Sequence, residues 1–192
     1  MKMKRTIFLL AAVLSGAITF AQTWKADKPH SHITFTITHL AVSDVDGSFK
    51  DFDATIKASK ADFSDAVVEF VAKTASVSTG DDNRDKHIKS ADFFDVVVFP
   101  DLSFRSSSIK PAARGHYTLT GSLTLHGVTR PVSFDLLYRG TVANPQTNLP
   151  DAGFVATGII KRSDFGFAPK FGSPLLSDEV TFKASGEFSK VN

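Results

Sequence analysis

The chain has no cysteine among its 192 residues. That excludes disulfides, thiolate catalysis and cysteine-based metal sites. It has one tryptophan and two tyrosines against 18 phenylalanines, so most of its aromatic surface carries no polar atom that needs a partner when buried. Such a lining suits hydrocarbon. Charge of either sign is also scarce in net terms: the formal value is +2, and Lys2, Lys4 and Arg5 belong to an N-terminal stretch that reads as an export leader. Without it the chain loses three of its 22 basic residues and none of its 20 acidic ones, leaving −1. A nearly neutral chain has no basic stripe for nucleic acid, and acidic partners are not favoured either. Missing too are a G-x-S-x-G nucleophile elbow, a phosphate-cradling loop, H-E-x-x-H, long repeats and low-complexity tracts.

The leader covers residues 1–21. Three basic residues precede an apolar run, Ile7 to Phe20, and Thr19-Phe20-Ala21 resembles a small-x-small cleavage site. The run is short for a spanning helix, which needs about 20 residues, and no cysteine follows that could carry a lipid. The mature chain is therefore expected to start at Gln22 and to work in the periplasm, with secretion as the alternative. Without disulfides it must rely on burial, and about 170 residues suffice for one core. Residues 22–192 read as a single domain.

The stretch from Pro29 to Ile56 sets the pattern. Ile33, Phe35, Ile37 and His39 alternate with His32, Thr34, Thr36 and Thr38, the period of a half-buried strand. After the polar stretch Ser43 to Asp46, a second strand opens at Gly47, its phase shifting between Phe49 and Phe52 as a bulge would cause. Further strands are expected over Ala66–Val77, from Leu102 to Ile109, from Tyr117 to Leu125, from Val132 to Tyr138 across a tight His126-Gly127 turn, from Gly153 to Arg162, and from Val180 to Ser189. Thr79 to Phe94 has early acids and later lysines and predicts a short exposed helix.

Eight alternating strands and one helix most economically close into an eight-stranded antiparallel barrel, which removes exposed edges; a two-layer sandwich is the other all-β solution. Such a barrel is either filled by side chains or holds one small ligand. Ala54, Gly121, Ala156, Gly158, Ala184 and Gly186, interleaved with phenylalanine, point to space left unfilled, or else only mark taper and bends. A membrane barrel uses the same period with the faces exchanged. Its aromatic girdles commonly use tyrosine and tryptophan, of which only Tyr117, Tyr138 and Trp24 exist here.

An ordered set of motifs is similar to the YceI-like polyisoprenoid-binding family: Asp27-Lys28-Pro29-His30-Ser31 with Ile33-Thr34-Phe35 and His39-Leu40; Gly47-Ser48-Phe49 with Asp51-Phe52; Ser76-Val77 with Thr79-Gly80; Arg84-Asp85-Lys86-His87-Ile88; Ser90 to Asp95 with Phe99-Pro100; GSLTLHGVTRP from Gly121; Gly153-Phe154 with Ala156-Thr157-Gly158; and Arg162-Ser163-Asp164-Phe165-Gly166. The resemblance implies an extended lipocalin-like barrel whose pore takes a long isoprenoid or similar amphiphilic lipid for carriage, storage or sequestration. The chain departs from the usual pattern at Leu40-Ala41-Val42 and at Phe167-Ala168-Pro169, and both departures would alter a pore mouth.

The pore-lining candidates are Phe35, Ile37, Phe70, Phe104, Leu119, Leu123, Phe134, Phe154 and Phe182. The head-group candidates are His39, Arg84, His87, Arg162 and Asp164. For Arg84, Asp85 and Asp92 the competing reading is a helix with its caps and surface ion pairs, and Arg162 and Asp164 could pair with each other. No cofactor is expected. His30-x-His32 lacks a third clustered ligand, so no metal is expected either. A binding protein is expected rather than an enzyme; a lipid-modifying hydrolase and a small outer-membrane barrel are the alternatives. The expected partner is a long-chain lipid, with transient membrane contact and homodimer formation compatible with that role.

Overall fold

The computed structural model describes residues 21–191; the expected leader, apart from Ala21, lies outside the described residues. The phenylalanine-rich faces found in the sequence do turn inward, and they do so in a wall that closes on itself. The described strands are β1 (Gln22–Ala26), β2 (His32–His39), β3 (Ser43–Phe49), β4 (Phe52–Ala58), β5 (Val67–Lys73), β6 (Val77–Ser78), β7 (Asp101–Pro111), β8 (His116–Leu125), β9 (Val128–Ala143), β10 (Pro150–Lys161) and β11 (Leu176–Val191), with one α-helix, α1 (Asp82–Ile88).

Eleven strands make an eight-stranded barrel because six of them are halves of three broken ribbons. β1 and β2 both pair with β11, β1 through Thr23↔Val191 and β2 through Phe35↔Phe182. β3 and β4 flank them on the other side, and β5 and β6 follow in the same way. From β5 the ladder runs antiparallel through β7, β8, β9 and β10 back to β11. The breaks fall at the Lys28–His30 turn, at Lys50-Asp51 and at the Thr74–Ser76 turn. Two of them are stitched together: Lys50 N–H donates to Ser76 O at 3.2 Å and Lys73 N–H to Asp51 O at 2.9 Å.

These breaks account for the differences from the sequence reading. The expected bulge between Phe49 and Phe52 is a full interruption. The polar stretch Ser43 to Asp46, expected to precede the second strand, pairs with β2 as the start of β3, because edge pairing makes no demand for apolar alternation. β1 is an addition to the expected set. The helix spans only Asp82–Ile88, its N-terminus capped by the Asp81 carboxylate accepting from Arg84 N–H at 2.8 Å.

Outward positions such as Asp53, Lys57, Arg105, Ser122, Lys183 and Glu187 are exposed, while one continuous apolar cluster fills the interior. This is the reverse of what a membrane barrel requires. The His126-Gly127 turn has positive φ at both residues, 51° and 73°, as the tightest hairpin connection demands.

The glycines on inner faces are not empty space. A Cβ on Gly121 would come within 2.5 Å of the Phe104 ring, and one on Gly158 within 2.5 Å of the Phe134 ring. Phe35 lies over Gly47 and the Ser31 hydroxyl over Gly186 in the same manner. Each glycine lets a neighbouring side chain lie against the wall, the arrangement by which aromatic rings cover strand glycines. Gly121→Ala should accordingly cost about 1–3 kcal/mol by overpacking, read as a lowered midpoint in urea unfolding.

Candidate functional site

The barrel encloses an apolar lumen. Its floor is a plug made by the loop between β4 and β5: Phe63, at 2 % exposure, stacks against Trp24, Tyr138 and Phe154 with centroids 5.0–5.2 Å apart. The loop is pinned by the Tyr117 hydroxyl, which donates to Asp62 O at 2.5 Å, and by Asp65, which accepts from the N–H groups of Ser59 and Lys60. Sequence reasoning missed this plug because Phe63 stands alone in a polar turn.

Above the floor lies a small apolar chamber of about 90 Å³. Among the pore candidates, Phe70, Phe104, Leu119, Leu123, Phe134, Phe154 and Phe182 line it, together with Phe52, Leu136 and Phe188, which were not singled out. A second chamber of about 300 Å³ sits toward the other end, lined by Phe35, Ile37 and again Phe182. It reaches the low end of the volume range usual for ligand pockets.

The upper chamber ends in a polar mouth. His39, Arg84, His87 and Arg162 all border it. Asp164 does not: it is exposed, and its carbonyl accepts from Arg130 Nε at 3.0 Å. Arg162 and Asp164 therefore make no pair; one points in and the other out.

Arg162 is 5 % exposed and spends all its donors on backbone. Nε donates to Ser177 O at 2.9 Å, Nη1 to Phe167 O and Ala168 O at 3.1 and 2.8 Å, and Nη2 to Phe171 O and Leu176 O. Five donors, the full capacity of a guanidinium, fold the 166–176 segment over the mouth. Arg162 thus shapes the site and has no N–H left for a ligand.

Arg84 keeps more freedom. Nε and Nη2 donate to the Thr79 hydroxyl and carbonyl at 2.7 and 3.0 Å; Nη1 makes no bond among the described residues. His87 stands edge-on to Phe93 and Phe171, at 5.0 and 5.9 Å, with Nε2 3.7 Å from Asp92. Lys170 holds the same carboxylate at 2.6 Å. Loop phenylalanines 93, 94, 167 and 171 complete the chamber. Strand alternation could not reveal them; the signal available was aromatic density outside the strands, beside the helix for Phe93 and Phe94 and in the glycine- and proline-rich stretch 163–178 for Phe167 and Phe171.

Three carboxylates pin this mouth, and each lies below the usual carboxylate range. For Asp85 burial is the largest single influence and pushes it up, but hydrogen bonds from the Thr79 hydroxyl and N–H, both 2.7 Å, outweigh it. Burial likewise raises Asp178, and bonds from the Ser163 hydroxyl and N–H prevail. Asp92 is lowered by the Lys170 hydrogen bond and then by its charge. A carboxylate depressed on folding stabilises above its unfolded pKa of about 3.9, and that contribution is lost as pH falls through the folded value. Below about pH 4 the mouth should loosen before the barrel. Amide NMR should then show early shifts in residues 79–95 and 163–178 while β8 and β9 stay unmoved.

Asp27, His30 and Glu187 bring ligand atoms within 4.8 Å of one another on the outer surface, whereas His32 is not part of the group. The cluster is solvent-facing, and the Asp27 carboxylate already holds His30 Nδ1 at 2.7 Å, a bond that raises the imidazole pKa.

A family model described as the YceI-like domain matches residues 24–188. A UPF0312 protein of Pseudomonas putida is 38% identical over 169 residues, covering 85% of this chain and 88% of the relative. Among solved structures, the Campylobacter jejuni YceI protein superposes with a TM-score of 0.71 at 29% identity, over 81% of this chain and 90% of that one. A polyisoprenoid binding domain from Saccharophagus degradans gives 0.66 at 15% identity, over 90% and 99%. That last likeness is one of fold.

Proposed function

Since the chain belongs to the YceI-like domain family, we propose that it binds a long isoprenoid or similar amphiphilic lipid, tail down the tube and polar end at the mouth. One observation carries this reading: an apolar lumen holds two unfilled chambers, the larger of the two bordered by Arg84 and His87. A packed core needs no such space, and a tail desolvated there gains about 0.8 kcal/mol per CH₂. The related fold of the Saccharophagus polyisoprenoid binding domain is consistent with it.

The protein acts as a carrier or store in the periplasm after export, and not as a hydrolase; the Thr79 hydroxyl bordering the chamber donates to Asp85 and accepts from Arg84 Nε, both at 2.7 Å, which commits it to the helix that frames the mouth. Collection from a membrane is supported by the rim. Leu40 and Val42 at the tip of the β2–β3 turn are 50 and 83 % exposed, and Leu40 N–H donates to Leu175 O at 2.9 Å. Leu175 also lines the upper chamber, so the apolar surface runs unbroken from solvent into the lumen. Exposed apolar patches of this kind mark contact sites. The departure Leu40-Ala41-Val42 from the family pattern falls here.

Organic extraction of the purified protein followed by mass spectrometry tests the reading: one amphiphile at near-stoichiometric amount is expected, and a protein that is empty and takes up no prenyl lipid from vesicles would overturn it. In the same assay Leu40→Ser with Val42→Ser should slow uptake from vesicles roughly tenfold while leaving the final occupancy unchanged.

A further inference from the structure

Four phenyl rings line the lower chamber, and one of them, Phe182, also borders the upper. Phe70 on β5 pairs with Phe104 on β7; Phe104 meets Phe134 on β9 at 5.6 Å, Phe134 meets Phe182 on β11 at 6.0 Å, and Phe182 returns to Phe70 at 6.5 Å. The circuit is closed. Phe104 and Phe134 are seated over Gly121 and Gly158, so their rings are fixed by the wall. Phe182 differs from the other three. It alone is not fully buried and borders both chambers, and its partner across β10 is Gly158, which lends it no side chain.

We infer that Phe182 sets tail length: its ring is the movable leaf of a phenylalanine diaphragm that stops a prenyl chain at the bottom of the upper chamber. This rests on the lipid-binding reading and adds a chain-length limit to it. By the measure in which a cavity of about 150 Å³ accepts one benzene, the upper chamber takes roughly two five-carbon units and the lower less than one. A third unit meets the diaphragm. A further unit gains burial only if Phe182 swings aside, which gives up its contacts with Phe70 and Phe134 and thus cancels part of the gain from desolvating the tail.

Geraniol, farnesol and geranylgeraniol, which differ by one prenyl unit each, are the probes. Trp24, the only tryptophan, stacks on the Phe63 plug below the lower chamber and reports arrivals there. In the native protein affinity should change less than about twofold from geraniol through farnesol to geranylgeraniol, with Trp24 emission unmoved. Phe182→Ala should gain roughly tenfold for the third unit, from geraniol to farnesol, with a shift in Trp24 emission; Phe182→Leu, which preserves an apolar side chain should the alanine variant fail to fold, should fall between. Parallel length profiles in the native and variant proteins would overturn the diaphragm while leaving lipid binding intact. Failure of every alcohol to bind either protein would overturn the lipid reading itself, and this inference with it.

Discussion

Arg162→Ala should be the most damaging single substitution in the mouth, costing about 3 kcal/mol or more. The side chain binds no expected ligand, yet its five N–H groups satisfy carbonyls of Phe167, Ala168, Phe171, Leu176 and Ser177. Removing it strands several buried acceptors, each worth about 1–3 kcal/mol when left unpartnered. The sum is not reached, because the 166–176 segment can peel away and hydrate its own carbonyls. Local opening is therefore the expected form of the damage: new proteolytic cleavage within 166–176, and faster amide exchange there than in β8. Arg162→Lys should recover little, since an ammonium has three donors on a flexible stem and no planar fork. An Arg162→Ala protein with native melting and native protection of this segment would reject the assignment.

That residue also shows how far the sequence could be read. Arg162 was legible as a member of the mouth because it sits in the Arg162-Ser163-Asp164-Phe165-Gly166 motif at a strand end; its role was not, because nothing in a linear pattern shows that carbonyls from five to fifteen residues downstream converge on one guanidinium. The same limit applies to Asp164, whose place two residues on suggested a partner and whose position in a tight turn sends it to the opposite side. Within strands the physics is simpler. Period-two alternation fixes which way a side chain points, so Phe35, Ile37, Phe104, Phe134, Phe154 and Phe182 fall on inner faces by pattern alone. What alternation cannot give is height along the tube or which glycines are voids and which are seats for rings. Gly121 and Gly158 suggested emptiness from composition, and cross-strand register fills both.

The breaks in the ribbons were legible only in part for a related reason. A phase shift between Phe49 and Phe52 can be seen in one strand, but its meaning depends on neighbours that break at the same height, at Lys28–His30 and Thr74–Ser76. On either side of these breaks β2 and β3 line the larger chamber through Phe35, Ile37, Val45 and Phe49, while β1, β4 and β5 line the smaller. The family resemblance, now matched across residues 24–188, carried the extended barrel form that the single-strand pattern lacked.

Phe35→Asp should empty the protein. Phe35 lines the upper chamber, lies over Gly47, and faces Phe49 at 5.8 Å and its register partner Phe182. A carboxylate there must either be stripped of water when a tail enters or keep that water and exclude the tail. Burying an unpaired charge is so costly that the second outcome prevails, and the loss of affinity should reach at least about a hundredfold. The fold should survive, because Phe35 is only partly buried and in the empty protein the chamber admits water to hydrate the new group through the mouth. Phe35→Leu separates shape from charge: it keeps an apolar wall and should retain lipid within about tenfold of native. The measurement is extracted lipid per mole of protein, with circular dichroism melting to establish that each variant is folded. Undiminished lipid in a folded Phe35→Asp protein would remove the upper chamber from the binding site, whatever the lumen's shape.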